Sequence, residues 1–391
     1  MDEKTFPLIA KTVSGLEPVL AEELTILGVP DVMVLNRAVS FAGDKATMYR
    51  VNYLCRTALR ILKPLFHFEI GDQDTLYEQM NAYPWETVMD VGQTFAIDAV
   101  ISYTVFTNSQ FVAQRAKDAI ADRFRQIGGK RPSVDLDHPD LKINVHLFRD
   151  LCTVSVDSSG QSLHRRGYRK SAGPAPINEV LAAGLIRLSG WSPEFPLLDP
   201  MCGSGTILIE AAMLAKHIPA GYFRKDFGFM TWRDYDNALW EEVRKACDAR
   251  ITTTGIQIAG FDRASRAIMS ATENLQLTGL KEEIRLDTVS FEDSAPPFEK
   301  GFIISNPPYD ERLKLDDSVA FYKMIGNVMK RKYAGYTAWL ISSDLEALKF
   351  VGLRPSRKIT IFNGPLECRF MKFDLFEGKK GHNPGRGGSM P

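Results

Sequence analysis

The chain has 391 residues, 45 % of them hydrophobic and 25 % charged, which excludes a disordered or fibrous protein and leaves room for two or three domains with proper cores. Basic and acidic residues number 48 each, so the whole-chain balance gives no support to nucleic-acid binding, although positions 1–160 hold 16 Lys and Arg against 21 Asp and Glu and the remainder is correspondingly basic. The five cysteines lie far apart and away from the six histidines, which argues against disulfides and against a structural metal.

The opening Met-Asp-Glu-Lys places acidic residues where a secretory signal needs basic ones, and no apolar run reaches about 18 residues. A cytoplasmic protein with no membrane partner is expected. Leu16, Val19, Leu20, Leu24 and Leu27 predict a helix over 14–27 that stops at Gly28. Val112, Ala116, Ala119, Ile120, Phe124 and Ile127 predict a second over 109–127, ending at Gly128-Gly129. Strands are predicted over 95–102 and 143–156. Residues 1–160 thus read as an α+β region of two subdomains, with no nucleophile, base or metal constellation. Its segment from Arg115 to Arg131 is locally basic.

Ser158-Ser159-Gly160 and Gly173-Pro174-Ala175-Pro176 bracket a linker, placed at 161–178, with a basic middle of Arg165, Arg166, Arg169 and Lys170. Such a cluster either neutralises a few nucleic-acid phosphates or forms a solvated face. From 179 to 378 strand and helix signals alternate, the pattern of an α/β doubly wound sheet. Strands are expected at 195–199, 257–262, 283–287, 302–305, 337–342, 358–362 and 369–373, with helices starting near Gly205, Ala264, Asp317 and Asp344. The aromatic stretch 216–255 interrupts this alternation and reads as a packed cap rather than a base-binding surface. Residues 379–391 carry too little apolar content to bury and are expected to be disordered.

In an open α/β sheet, ligands bind at the carboxyl ends of the strands. Asp199 closes the first strand, where it can orient the following loop or bind a cofactor's ammonium group. Gly203 and Gly205 follow in Asp-Pro-Met-Cys-Gly-Ser-Gly-Thr, where side chains would occupy the space a cofactor needs. Asp262 and Asp287 close the next two strands, suited to ribose hydroxyls and an adenine edge, with capping of the following helix as the lesser reading of Asp262. Position 208 is Leu, so the Gly-x-Gly-x-x-Gly of a dinucleotide site is incomplete, and no P-loop is present. A cofactor lacking a polyphosphate, such as S-adenosyl-L-methionine, suits this loop. Asn306-Pro307-Pro308-Tyr309 closes a fourth strand and suits a planar group bearing an NH₂. The Asn306 side-chain oxygen and the Pro307 carbonyl would hold the two N–H hydrogens, with Tyr309 stacking on the base beside Pro308. The motif alone leaves adenine, guanine and glutamine amines open.

Taken together, these residues make the chain resemble the THUMP-domain class I RNA guanine-N2 methyltransferases, above all the N-terminal half of the bifunctional bacterial 23S rRNA enzymes and their stand-alone relatives. The likeness runs through Gln110 to Phe124, Leu163 to Arg169, Asp199 to Thr206, the Trp232 and Trp240 insertion, and Asn306 to Leu313. The resemblance implies a Rossmann-like class I methyltransferase domain behind a ferredoxin-like plus THUMP module that docks RNA. It also implies methylation of guanine N2 in 23S rRNA or tRNA, with Arg165, Arg166 and Arg169 on the substrate side. The family commonly has Gly after the active-site Tyr, where this chain has Asp310, and a second methyltransferase domain has no counterpart after Phe373. An RNA-binding or ribosome-assembly factor with a relict methyltransferase fold is the reading from a different class.

Overall fold

The computed structural model describes residues 5–170, 177–308 and 318–376. The N-terminal region builds one sheet from β1 (Phe6–Lys11), β2 (Met33–Leu35), β3 (Ala38–Gly43), β4 (Arg60–Glu69), β5 (Thr94–Ser102), β6 (Ser133–Val134), β7 (Leu141–Phe148) and β8 (Leu151–Asp157), in the order β2-β3-β1-β4-β8-β7-β5-β6. The two expected subdomains are therefore joined edge to edge, because β4 pairs antiparallel with β8 along most of its length. The single strand expected over 143–156 is a hairpin. Arg149 takes a left-handed φ of 57° at its turn, and β7 and β8 pair on either side of it.

Four helices cover this sheet: α1 (Glu17–Ile26), α2 (Lys45–Leu54), α3 (Gln73–Ala82) and α4 (Ser109–Gly128). Gly15, at φ 94°, delays α1 to Glu17, with Leu20 and Leu24 facing inward as the spacing predicts. In α4, Asn108 accepts from the amides of Gln110 and Phe111 and so satisfies the first orphan donors. Left-handed Gly129 closes the other end. Val112, Ala116, Ala119, Ile120 and Phe124 are buried, but Ile127 is 59 % exposed, because the last turn runs past the sheet it packs on.

The second sheet contains β9 (Leu197–Asp199), β10 (Ile258–Asp262), β11 (Ile284–Thr288), β12 (Phe302–Ser305), β13 (Thr337–Ser342), β14 (Arg357–Asn363) and β15 (Leu366–Asp374), in the order β11-β10-β9-β12-β13-β15-β14. Strands β9 to β13 are parallel. The near-continuous apolar runs of β9, β10, β12 and β13 follow from burial on both faces, whereas β11 lies at the edge. The last two strands form an antiparallel hairpin, with β15 inserted beside β13. Helices α5 (Glu179–Ser189), α6 (Thr206–Ala215), α8 (Ser265–Thr278) and α9 (Ser318–Lys332) serve this sheet. The helix expected near Asp344 is a single short turn over Ala347–Val351, and Asp317 lies outside the described residues.

The insertion carries α7 (Asn237–Asp248) and packs onto the N-terminal region. Phe229 stacks on Tyr49 with centroids 4.2 Å apart, Trp240 meets Tyr53 edge-on at 5.4 Å, and Tyr53 donates to Asp248 at 2.7 Å. Each such ring pair adds about 0.5–1.5 kcal/mol beyond its burial. Elsewhere along the same junction, buried Glu23 of α1 accepts from the Arg56 and Thr57 amides, from the Thr57 hydroxyl at 2.6 Å and from Arg187 of α5 at 3.2 Å. Among the described residues, no helix is long and apolar enough to cross a membrane, and no group of three or more His, Cys, Asp or Glu is arranged to hold a metal.

Candidate functional site

The order of the parallel strands reverses between β9 and β12, which opens a crevice at their carboxyl ends. Both motifs end there on neighbouring strands. Ser305, the last residue of β12, donates to Asp199 Oδ1 at 2.7 Å across the strand pair, and the Met201 amide donates to the same oxygen at 3.2 Å. Asp199 is almost fully buried, and that burial raises its carboxyl to about 7, against the two hydrogen bonds and with a further push from Asp262. The glycine loop and Asn306 are thus held in register by one buried carboxyl. Ser305 was not singled out from the sequence; its signal is a hydroxyl ending an otherwise apolar strand.

The loop after Asp199 is pinned at several points. The Cys202 amide donates to Phe261 O at 2.8 Å, and the Gly203 amide donates to Asp262 Oδ2 at 3.0 Å. Gly203 and Gly205 have φ of 54° and 80°, a region open to glycine. They differ in what surrounds them. A Cβ on Gly203 meets nothing within 4 Å, so that face is open for a ligand, whereas a Cβ on Gly205 comes within 3.2 Å of Ala271 Cβ. Gly205 therefore serves the close packing of α6 on α8. Asn274 of α8 supports the loop by donating to Ser204 O at 3.1 Å. Burial first, then Asp199 and Asp262, holds the Cys202 thiol well above its usual range, so it offers no nucleophile.

Asp262 serves both the glycine loop and the approach to α8. Its Oδ1 accepts from the Ala264 amide at 2.9 Å, just ahead of α8, while Oδ2 holds Gly203, and its partial exposure leaves lone pairs for further donors. Asp287 sits one residue before the end of β11, opposite Phe261 rather than Asp262. Its carboxylate is taken by Arg285 Nε at 2.7 Å on the sheet edge, so contact with an adenine requires that pair to open. Asn306 follows β12 directly, and its Oδ1 is buried without a hydrogen-bond partner among the described residues. A buried acceptor left empty costs about 1–3 kcal/mol unless a ligand fills it. Pro307 is buried and Pro308 half-buried; Tyr309 and Asp310 lie outside the described residues.

The three arginines assigned to the substrate side separate. Arg166 is 1 % exposed. It forms a fork with Glu210 of α6, both contacts at 3.2 Å, and donates to Leu163 O and Arg56 O, while Tyr168 also donates to Glu210. The expected RNA contact is corrected here, because a buried guanidinium so engaged has no surface to offer. Arg169 donates to Thr206 Oγ1 at 2.9 Å and Ile177 O at 3.1 Å, and lies 2.9 Å from Glu179 Oε1, bracing the start of α6. Arg165 alone is exposed, bonded only to Gln161 Oε1 at 3.2 Å. Residues 158–170 are consequently a packed clasp rather than a loose linker, with Ser158 and Ser159 fully buried.

Comparison with known proteins agrees with this geometry. Residues 166–372 match the model of an RMKL-like methyltransferase domain, 71–157 that of a THUMP domain, and 7–62 that of an RlmL ferredoxin-like domain. The chain is 37 % identical over 374 residues to slr0064 of Synechocystis sp., which carries the name of a proposed RNA methyltransferase, covering 95 % of this chain and 97 % of that protein. It is 38 % identical over 377 residues to the ribosomal RNA large subunit methyltransferase K/L of Syntrophotalea carbinolica, covering 93 % of this chain and 53 % of that protein. The chain therefore spans about half of that longer relative. Among solved structures, SMU.472, described as a proposed methyltransferase complexed with SAH, superposes with a TM-score of 0.86 at 31 % identity, covering 96 % of this chain and all of that one.

Proposed function

The chain belongs to the RMKL-like methyltransferase family, with a THUMP domain and an RlmL ferredoxin-like domain ahead of the catalytic one, and we propose that it transfers a methyl group from S-adenosylmethionine to the N2 amine of a guanine in structured RNA. The substrate we assign is 23S rRNA, in keeping with the name of the Syntrophotalea relative, with tRNA as the rival. The observation that carries the reading is the buried Asn306 Oδ1, without a hydrogen-bond partner among the described residues, one residue beyond the Ser305–Asp199 hydrogen bond. An acceptor is held there beside a loop whose Gly203 face is open.

S-adenosylmethionine supplies a methyl on a sulfonium, a good leaving group, so no strong base is needed and alignment does most of the work. Gly203 would leave room for the cofactor's body, Asp199 would face its ammonium end, Asp262 would take the ribose and Asp287, once released from Arg285, the adenine edge. Asn306 Oδ1 and the Pro307 carbonyl accept the two N–H hydrogens of the guanine amine and draw its nitrogen toward a tetrahedral geometry aimed at the methyl. Pro308 and Tyr309 hold the base plane. The nitrogen would gain the methyl as the S–CH₃ bond breaks, its electron pair staying on sulfur to leave a neutral thioether, and would shed one proton to water.

The test is methyl incorporation into unmethylated 23S rRNA and tRNA by the purified protein, together with mass spectrometry of both RNAs from a strain lacking the gene. Loss of N2-methylguanosine from 23S rRNA is expected. A strain with unaltered N2-methylguanosine in both RNAs overturns the proposal.

A further inference from the structure

Residues 161–169 and 223–226 enclose a cavity of about 490 Å³ between the clasp and the aromatic insertion. His164, Arg165, Arg169, Arg224 and Lys225 all line it, against two carboxylates, Glu179 and Asp226. Glu179 already faces Arg169 at 2.9 Å, and Asp226 is exposed at the rim. Arg224 spends its Nη donors on backbone carbonyls of Ser159, Gln161, Ser162 and Arg165, which shape the clasp without neutralising the charge. Its Nε–H and that of Arg169 have no aligned acceptor among the described residues. Among those residues no carboxylate forms an ion pair with Arg165, Arg224 or Lys225, and Arg165 and Lys225 are exposed.

His164, whose Nδ1 lies 2.8 Å from Ser162 Oγ, is pushed down to about 4, first by burial and then by Arg165, Arg166, Arg169 and Arg60. The walls are fixed for a reason beyond packing. Gly167 has φ 95°, and a Cβ there would lie 2.3 Å from Phe223 O, so the two segments approach as closely as backbones can. Through Arg169 and Thr206 the cavity is contiguous with the helix that follows the glycine loop.

We infer that this cavity binds backbone phosphate of the RNA substrate, with Arg165 and Lys225 contacting phosphate oxygens and Arg224 setting the charge behind them. The inference rests on the RNA reading above and adds to it a phosphate-binding site, built jointly by the clasp and the insertion and tied through Arg169 to the first residue after the glycine loop. A concave site in which cations outnumber carboxylates, joined through Arg169 to the start of α6, fits an RNA phosphodiester better than an exposed charged face does.

Arg165 and Lys225 are exposed and hold no other element in place, so the R165Q/K225Q variant of the full chain keeps its fold. Filter binding of in vitro transcribed 23S rRNA and tRNA across a salt series, with calorimetry of SAH binding alongside, is the test. Each lost phosphate contact removes about 0.7–0.9 from the log–log salt slope, so the double variant loses roughly 1.5 and binds RNA on the order of tenfold more weakly at low salt, with SAH affinity unchanged. A wild-type salt slope with intact SAH binding overturns the inference. If millimolar inorganic phosphate or pyrophosphate protects the wild type but not the variant against heat while the RNA slope stays the same, the site takes free phosphate and the RNA assignment falls. Failure of the wild type to bind or methylate either RNA instead sinks the proposed function itself.

Discussion

Lowering the pH tests whether Asp199 meets the cofactor as a carboxylate. In the empty protein, burial raises its carboxyl from 3.8 to about 7, so ionising it there costs roughly 4 kcal/mol more than in water. Its contribution to folding stability is fully present below about pH 4 and is lost as pH rises toward 7. An ammonium group bound beside it reverses that balance by favouring the ionised form. Below pH 7, binding must then displace a proton, and SAH affinity falls about tenfold for each pH unit from 7 to 5.5. Calorimetry in buffers of different ionisation enthalpy reads both quantities, with close to one proton released per SAH at pH 6. In D199N the slope disappears over this range and the affinity at pH 8 drops by about 10- to 100-fold, the loss of a charge-assisted contact. A wild-type affinity that stays level from pH 8 to 5.5, or a D199N profile that keeps the slope, refutes the reasoning.

Replacing Asn306 by Ala removes the acceptor that aligns the amine; kcat falls at least about a hundredfold while RNA and SAH binding persist, as single-turnover assays and filter binding will read. Survival of the cellular phenotype in that variant would favour the RNA-binding-factor alternative. Glu210→Ala strands Arg166 as an uncompensated buried charge and costs about 3–5 kcal/mol, seen as a lower midpoint in urea, whereas R166M/E210M loses much less. Equal losses in the two variants would mean that shape rather than charge matters at this position. Gly203→Ala places a methyl in the open face at φ 54°, adding about 1–2 kcal/mol of backbone strain and weakening SAH binding more than it lowers the melting temperature. Calorimetry and thermal melts on one preparation separate those two effects.

Central strands were the easiest elements to read, because β12 and β13 are buried on both faces and stand out as apolar runs. The hairpin over β7 and β8 was missed since its turn is Arg149-Asp150, without the Asn-Gly or Asp-Gly pair that usually marks one. The switch-point crevice was legible too: four motif residues at strand ends predict it, and β9 and β12 lie side by side. Burial within a basic run was not legible. Arg165 and Arg166 are neighbours in sequence, yet one is exposed and the other is 1 % exposed, because its partner Glu210 lies on α6, 44 positions away. A hint did exist in Ile209-Glu210-Ala211, a lone charge inside an apolar helix, which must find a cation. Asp199 and Ser305 follow the same logic across strands.

The insertion between β9 and β10 lends Phe227, Phe229, Trp232 and Trp240 to the core under the N-terminal sheet, while Glu23 fastens α1 to α5 on the other side of the junction. The two halves are therefore spliced rather than strung together. Cutting the chain between them would strip aromatic rings from the core under the N-terminal sheet and take from Glu23 its Arg187 partner. Under the proposed function, such a splice would act as a calliper: whatever RNA feature the front half grips, the reactive base would lie at a set distance from it. If the proposed function holds, choice among many guanines becomes a matter of measurement, set by the protein's own cores.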